Sequence, residues 1–205
     1  MTTVSTNHVF RVFASFDGEN DTLLSAFQIH AFYGTTLPLF LHNDALTGGG
    51  ATTLAGGWSP VFLLSANALD SFVTIGGSTG FASGNTTSAD AGWGAPGLNQ
   101  VQIPDGANTG VAGWFNSNPA NLQGRVTETG RVFLGQFVVP NYGFLCATLQ
   151  VSYDDGTAGA PLEFGSGIIG CPAPGAVSVA GLALVFCRRR RRESSVVMHF
   201  GAIDG

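Results

Sequence analysis

The sequence predicts an all-β protein: a β-sandwich or jelly-roll-like single domain followed by a short C-terminal apolar helix and an arginine cluster. Three observations predict it. Apolar and polar residues alternate with period two in several short stretches, the pattern of half-buried strands. The composition combines 30 glycines and 16 phenylalanines with only 10 % charged residues, which favours strands and loops over helices. No helical periodicity is sustained before residue 175. A chain of 205 residues suits one sizeable core, and 44 % hydrophobic content is far from the composition of a disordered chain.

The elements follow in chain order. "HVFRVFASF" (8–16) places Phe10, Val12, Ala14 and Phe16 on one face and Arg11, Phe13 and Ser15 on the other, a clean strand. "DGEND" is a polar turn with an Asp-Gly step. "TLLSAFQIHAFY" (22–33) is ambiguous, because Leu23, Phe27 and His30 also share a helix face; the strands around it favour a strand. "LPLFLH" (37–42), "SPVFLL" (59–64) and "LDSFVTIG" (69–76) read as further strands, with a Gly-rich loop over 47–57. Residues 76–113 are dominated by Gly, Asn, Ser, Thr and Ala, and so long a loop in a domain is either functional or conceals short strands. "AGWFN", "LQGRVTE", "RVFLGQFVV" (131–139) and "FLCATLQVSY" (144–153) follow, the last two joined by "PNYG" as an expected hairpin. The count is about eight to ten short strands, which is the number a sandwich or jelly roll needs. No internal repeat is present.

Charge is distributed unevenly. Residues 1–170 hold eleven carboxylates against three arginines (Arg11, Arg125 and Arg131), a formal −8, and the chain has no lysine. Residues 171–205 hold five arginines against Glu193 and Asp204, a formal +3. An acidic body argues against nucleic acid as a partner, since that affinity rests on neutralising phosphates; the basic cluster suits anionic lipid headgroups. Three cysteines, Cys146, Cys171 and Cys187, allow one bridge at most. Cys187 abuts the arginines, which leaves Cys146–Cys171 as the pairing to expect, and the cysteines alone leave the redox compartment undecided.

The C-terminal stretch "CPAPGAVSVAGLALVFCRRRRR" stands apart from the rest. Gly175–Cys187 carries no charge, and Ser178 is its one strongly polar residue. Counted from Cys171 the apolar run reaches seventeen residues, marginal against the roughly 20 of a membrane-spanning helix. If it enters a bilayer, the arginines mark the cytoplasmic side and the acidic domain lies outside. This stretch resembles the PEP-CTERM class of bacterial sorting tails, in the variant with Pro-Ala-Pro in place of Pro-Glu-Pro. The motif falls on Pro172, Ala173 and Pro174, the apolar span on Gly175–Cys187 and the basic cluster on Arg188, Arg189, Arg190, Arg191 and Arg192. The resemblance covers about 22 residues. It implies export to the cell envelope or extracellular matrix, with an exosortase-type processing enzyme and the membrane as partners. The domain ahead of it, with "FRVFASFDGENDTLLSAF", "DSFVTIGG", "GWFNSNP" and "GRVFLGQFVV", is similar to a poorly characterised secreted domain that precedes such tails. Two features depart from the family pattern: "MTTVSTNHVFRVF" has no basic or apolar signal-peptide region, and "ESSVVMHFGAIDG" follows the arginines. The expected organisation is a β-sandwich domain over 1–170, a sorting or anchor segment over 171–192 and a polar, disordered tail over 193–205.

Motifs that carry chemistry are few. "GGSTG" (76–80) matches the nucleophile-elbow pattern, but "FASGNTTSAD" after it is no helix and the only later histidine is His199. "GWGAPG" (92–97) matches a dinucleotide fingerprint without the helix that aims its amides. Asp17, Glu19 and Asp21 alternate in "DGEND" and present oxygens to calcium, although Thr22 stands where an EF-hand loop has glycine. A solvated hairpin turn is the favoured reading. "SYDDG" (152–156) is a second acidic turn, able to share an ion only if the fold unites the two. His30, His42 and Asp44 have no spacing that fixes a metal geometry, and no carboxylates show a glycosidase pairing. Trp58, Trp93 and Trp114 all sit in Gly/Asn/Pro-rich stretches. They are candidate sugar-stacking rings, against the more ordinary reading that they close the ends of the sandwich with the indole N–H on a loop carbonyl.

The function expected is that of a non-enzymatic exported envelope or matrix protein, structural or adhesive, sorted by its tail. The alternatives are a carbohydrate-binding β-sandwich module, with extracellular polysaccharide as partner, and a glycan-active hydrolase. No cofactor is expected, calcium aside.

Overall fold

The computed structural model describes residues 7–31, 40, 58, 71–77, 85–90, 113–139, 145–170 and 197–202. Within them the chain is all-β. Its strands are β1 (His8–Ser15), β2 (Thr22–Ala31), β3 (Phe72–Val73), β4 (Thr87–Ala89), β5 (Trp114–Asn116), β6 (Arg131–Val139), β7 (Ala147–Asp154), β8 (Glu163–Ile169) and β9 (Val197–Ala202). They form a four-stranded sheet in the order β3-β6-β1-β9 and a five-stranded sheet in the order β4-β5-β2-β7-β8. Every strand pair is antiparallel. The one helical element among the described residues is a 3-10 turn at Pro119–Asn121.

β1 follows the expected alternation, with Val12 and Ala14 fully buried. Its partner β6 carries an extra residue, because Val12 pairs with Gly135 while Phe13 pairs with Phe133. The bulge shifts the inward phase of β6 from Val132 and Leu134 to Phe137 and Val139, all buried. Gly135 makes this possible. Its φ is +155°, and a Cβ there would sit 2.6 Å from the Phe72 carbonyl oxygen of β3.

β2 resolves the helix-or-strand ambiguity. Its buried residues are Leu23, Ala26 and Ile29, spaced by three as on a helix. Register shifts between Leu23 and Ser25 and between Phe27 and His30 absorb the extra residues, and Gln28 takes a φ of +51° in the second. Two irregularities turn a three-residue period into a strand.

A single buried cluster draws on both sheets: Val12, Ala14, Leu134 and Phe137 from one, Leu23, Ile29, Leu149 and Val151 from the other. Each fully buried Leu, Ile, Val or Phe side chain contributes roughly 1.5–3 kcal/mol relative to exposure. Two ring contacts tie in the connections. Phe40 meets Phe137 at 5.5 Å between centroids, and Phe16 meets Tyr153 edge-on at 5.2 Å.

Several expectations need correction. β6 and β7 are not a hairpin: β6 pairs with β1 and β3, β7 with β2 and β8, so the connection through "PNYG" passes from one sheet to the other. "DGEND" likewise joins β1 to β2 across the sheets rather than closing a hairpin. Turn residues specify a reversal of direction, and a hairpin and an arch between sheets both need one. "LQGRVTE" contributes only an isolated bridge, Thr22 with Arg125. The Gly-rich stretch 76–113 does conceal a strand, β4. Two strands were not anticipated, β8 and β9. β9 falls inside the segment expected as a disordered tail, yet "VMHFGA" pairs residue by residue with Phe10–Ser15 along the edge of β1. The C-terminal apolar helix, the arginine cluster and the strands expected at 37–42 (Phe40 apart) and 59–64 lie outside the described residues.

Candidate functional site

The sequence-derived candidates separate once placed. Trp58 is 0 % and Trp114 1 % exposed, both within the core cluster. The Trp114 indole Nε1 donates to the Thr74 carbonyl at 2.9 Å. A ring with no exposed face stacks on nothing outside the fold, so these two are not sugar platforms. Their apolar area drives them inward, and for Trp114 a loop carbonyl takes the N–H. Trp93 lies outside the described residues, as do Pro172, Ala173, Pro174, Arg188–Arg192, His42 and Asp44.

The two acidic turns do meet. Asp21 is buried, and its Oδ2 accepts the Gly18 N–H at 3.3 Å. Burial raises its carboxyl above the ordinary carboxylate value; the Gly18 N–H opposes the rise, and the charges of Asp155, Asp17 and Asp154 add to it. Asp154 and Asp155 turn inward on their own loop, each Oδ1 accepting a backbone N–H at 2.8 Å, from Gly156 and Thr157 respectively. These are Asx-type turns. Among the described residues, no group of three or more His, Cys, Asp or Glu side chains is placed to hold a metal ion. Asp17, Glu19 and Asp21 therefore make an acidic end to the molecule without a converging ligand set. A second carboxyl, Asp90 after β4, is also raised by burial, against the pull of the Gly113 N–H.

A polar brace occupies the loops around β4 and β5. Gln123, 3 % exposed, donates from Nε2 towards Asn85 Oδ1 (2.6 Å), the Ile75 carbonyl (2.8 Å) and Thr87 Oγ1 (3.1 Å). Its Oε1 accepts from the Thr86 N–H at 2.9 Å and the Thr86 hydroxyl at 3.0 Å. Asn121 Nδ2 donates to Thr86 Oγ1 at 2.7 Å, and Asn116 Nδ2 to Asn121 Oδ1 at 3.1 Å. Gly124 lets this brace reach β2, for a Cβ there would lie 1.9 Å from the Leu23 carbonyl oxygen. The amides satisfy one another, which rigidifies the loops and leaves little for a ligand.

What remains open is the outer face of the five-stranded sheet. The ladder aligns its outward residues in rows: Ser88, Phe115, Ser25, Ser152 and Phe164 across five strands, then Phe27, Gln150 and Ser166, then His30, Thr148 and Ile168. Phe164 is 69 %, Ile168 65 % and Phe115 42 % exposed. Phe27 and Phe164 meet edge-on at 6.3 Å. The Ser25 and Ser152 hydroxyls are 2.7 Å apart, forming a hydrogen bond between the rows' rings. No Asp, Glu or Arg stands in these rows; Asp154 pairs with Thr22 at their end. The rows thus hold no carboxylate or guanidinium group and combine exposed aromatic and aliphatic side chains on β5 and β8 with hydroxyls, an amide and the His30 imidazole. Sequence reasoning passed over it. The signal was the alternation Phe164, Ser166, Ile168 with Gly165 and Gly167 between, which two glycines made to look like loop.

Cys146, immediately before β7 and 2 % exposed, is disulfide-bonded, and its partner cysteine lies outside the described residues. No protein-family model matches the chain, and no curated protein or solved structure matches it.

Proposed function

We propose that this is an exported, non-enzymatic protein of the cell envelope or extracellular matrix, a β-sandwich whose two sheets are its layers and whose outer five-stranded face is its adhesive surface. The observation that carries the reading is that face: without carboxylate or guanidinium groups in its rows and exposing Phe115, Phe164 and Ile168. Exposed apolar side chains gathered on one face mark contact surfaces. The disulfide at Cys146 supports an oxidising compartment. The Pro172–Pro174 motif, the apolar span and Arg188–Arg192 supply the route, with the membrane and an exosortase-type enzyme as partners.

β9 constrains this route. It follows the arginines, so a chain whose apolar span crosses a bilayer holds Val197–Ala202 on the side opposite β1. Pairing of β9 with β1 and membrane insertion of the span exclude each other. The paired state belongs to the chain before engagement with the membrane, and processing near Pro174 removes β9 altogether.

A second reading is favoured by the Gln150, Thr148 and Ser166 groups between the rings: the face holds a neutral extracellular polysaccharide, the apolar side chains contacting sugar faces and the amide and hydroxyls bonding their rims. Fractionation of the native host with mass spectrometry of the intact C-terminus tests export; a cytoplasmic protein still ending in "GAIDG" overturns it. Sedimentation with insoluble neutral polysaccharides tests the second reading. Phe115→Ala and Phe164→Ala are each expected to lower retention about tenfold, roughly 1.4 kcal/mol, and unchanged retention by both rejects sugar binding at this face.

A further inference from the structure

β9 is attached to the fold differently from the other strands. The order β3-β6-β1-β9 places it outside β1, and it also lies alongside β8 of the other sheet. It pairs with β1 at consecutive positions without a shift, from Phe10–Ala202 to Ser15–Val197. The chain between β8 and β9 contains the apolar span and the five arginines. Whatever takes that stretch away from the domain, whether cleavage or entry into a bilayer, takes β9 from β1 as well.

The edge that β9 covers is held in place from its other side. β1 pairs with β6 along its whole length, from His8–Val139 to Ser15–Arg131. Val12 and Ala14 of β1 are fully buried in the core, and Phe10 packs against it. β1 contains no proline, so each of its residues brings an amide N–H to a ladder. Without β9, β1 is an edge strand already aligned for pairing, and such an edge templates another strand. The register states what suits it. Met198 falls opposite Ala14 and Phe200 opposite Val12, the two buried positions, and Val197, His199 and Gly201 alternate with them. The segment Val197–Ala202 carries no Asp, Glu, Lys or Arg. Added strands bind through main-chain hydrogen bonds and are selected by their side chains at alternate positions.

We propose that the edge of β1 is a strand-binding site. β9 fills it in the intact chain as a tethered ligand. Loss of the tail opens it to an extended segment of another protein, free of formal charge and with large apolar side chains at alternate positions. β9 keeps the edge closed until then, because a tether gives it a high effective concentration against any competitor. Loss of the tail in the host rests on the proposed sorting; the binding site does not.

The test uses the full chain with a sequence-specific protease site in place of residues 188–194, cut only after folding. The probe is a fluorescent peptide of residues 195–205 in excess, followed by anisotropy. The cut chain is expected to exchange its own fragment for the probe and to bind it at least about tenfold more tightly than the uncut chain, where tethered β9 competes. Hydrogen exchange is expected to show the amides of Phe10–Ser15 protected again by the peptide. Adjacent strand residues direct their N–H groups to opposite sides, so His199→Pro with Phe200→Pro in the peptide removes a ladder donor whichever of them faces β1, and binding is expected to fall about tenfold or more. Met198→Asp with Phe200→Asp is expected to weaken the peptide far more than Val197→Asp. Equal binding by cut and uncut chains, a fragment that neither leaves nor exchanges, indifference to the proline pair, or a cut chain that dimerises instead of taking the peptide overturns the proposal. So does a cut chain that loses its far-ultraviolet strand signal and does not regain it with peptide.

Discussion

Asp21 and Gly135 show how much single residues here depend on what surrounds them. Asp21 is a buried carboxylate with three aspartates near it, and its folded-state pKa lies above its unfolded one. The native state therefore binds the proton more tightly. The resulting stability is fully present below the unfolded pKa and is lost as pH rises through the folded pKa. Asp21→Asn keeps an oxygen for the Gly18 N–H and removes the charge. It is expected to be more stable than the unsubstituted chain at neutral pH, with the difference shrinking as acid protonates Asp21. Urea midpoints across pH 3 to 7 (about the span of carboxylate titration) check this, and a pH-independent difference contradicts it. Gly135→Ala is expected to cost about 2 kcal/mol or more, because it adds strain at a positive φ and drives a Cβ into the Phe72 carbonyl. Thermal melting reads that loss.

Among the elements, the polar brace and β2 carry opposite lessons. Gln123 bonds loop segments that are far apart in sequence, with both ends of its amide used. Gln123→Leu has nearly the same volume and takes the acceptor from the Thr86 N–H and a donor from the Ile75 carbonyl, while Asn85 Oδ1 keeps the Thr87 N–H. The expected cost is about 1–3 kcal/mol, measured by denaturant unfolding. A neutral result means the loops re-form the brace with water. β2 was legible as an apolar stretch but not in its phase, since Leu23, Ala26 and Ile29 fit a helix as well as a twice-bulged strand. β8 was illegible because Gly165 and Gly167 supply no side chain to its inner face, so the alternation of apolar and polar residues that marks a strand is missing there. The candidate face shares that cause. Phe115 and Phe164 are 49 positions apart and become neighbours in one row only through β2 and β7.

For the whole molecule, the disulfide at Cys146 and the edge strand β9 set its stability in two states. Cys146→Ser is expected to lower unfolding free energy by about 2–5 kcal/mol, while reducing agent has the same effect on the unsubstituted chain and none on the variant. A chain insensitive to reduction places the protein's stability wholly in its core. Removal of the tail takes β9 from β1, and the outward amides of Phe10–Ser15 are then expected to exchange with solvent faster than in the full chain, while those of β7 stay protected. Hydrogen exchange by mass spectrometry distinguishes these segments. Equal protection of β1 in both chains means that another strand replaces β9.

Composition and period-two alternation were enough to determine an all-β chain, because both are local properties that each strand must satisfy wherever it lies. The resemblance of the tail rests likewise on contiguous residues. Tertiary structure alone decided which strands share a sheet, that "PNYG" and "DGEND" cross between sheets, and that Trp58 and Trp114 face inward while Phe115 and Phe164 face out. Those outcomes depend on contacts between residues tens to more than a hundred positions apart. No short stretch encodes them, since a turn, a bulge or an aromatic ring reads the same in sequence whichever layer it finally joins.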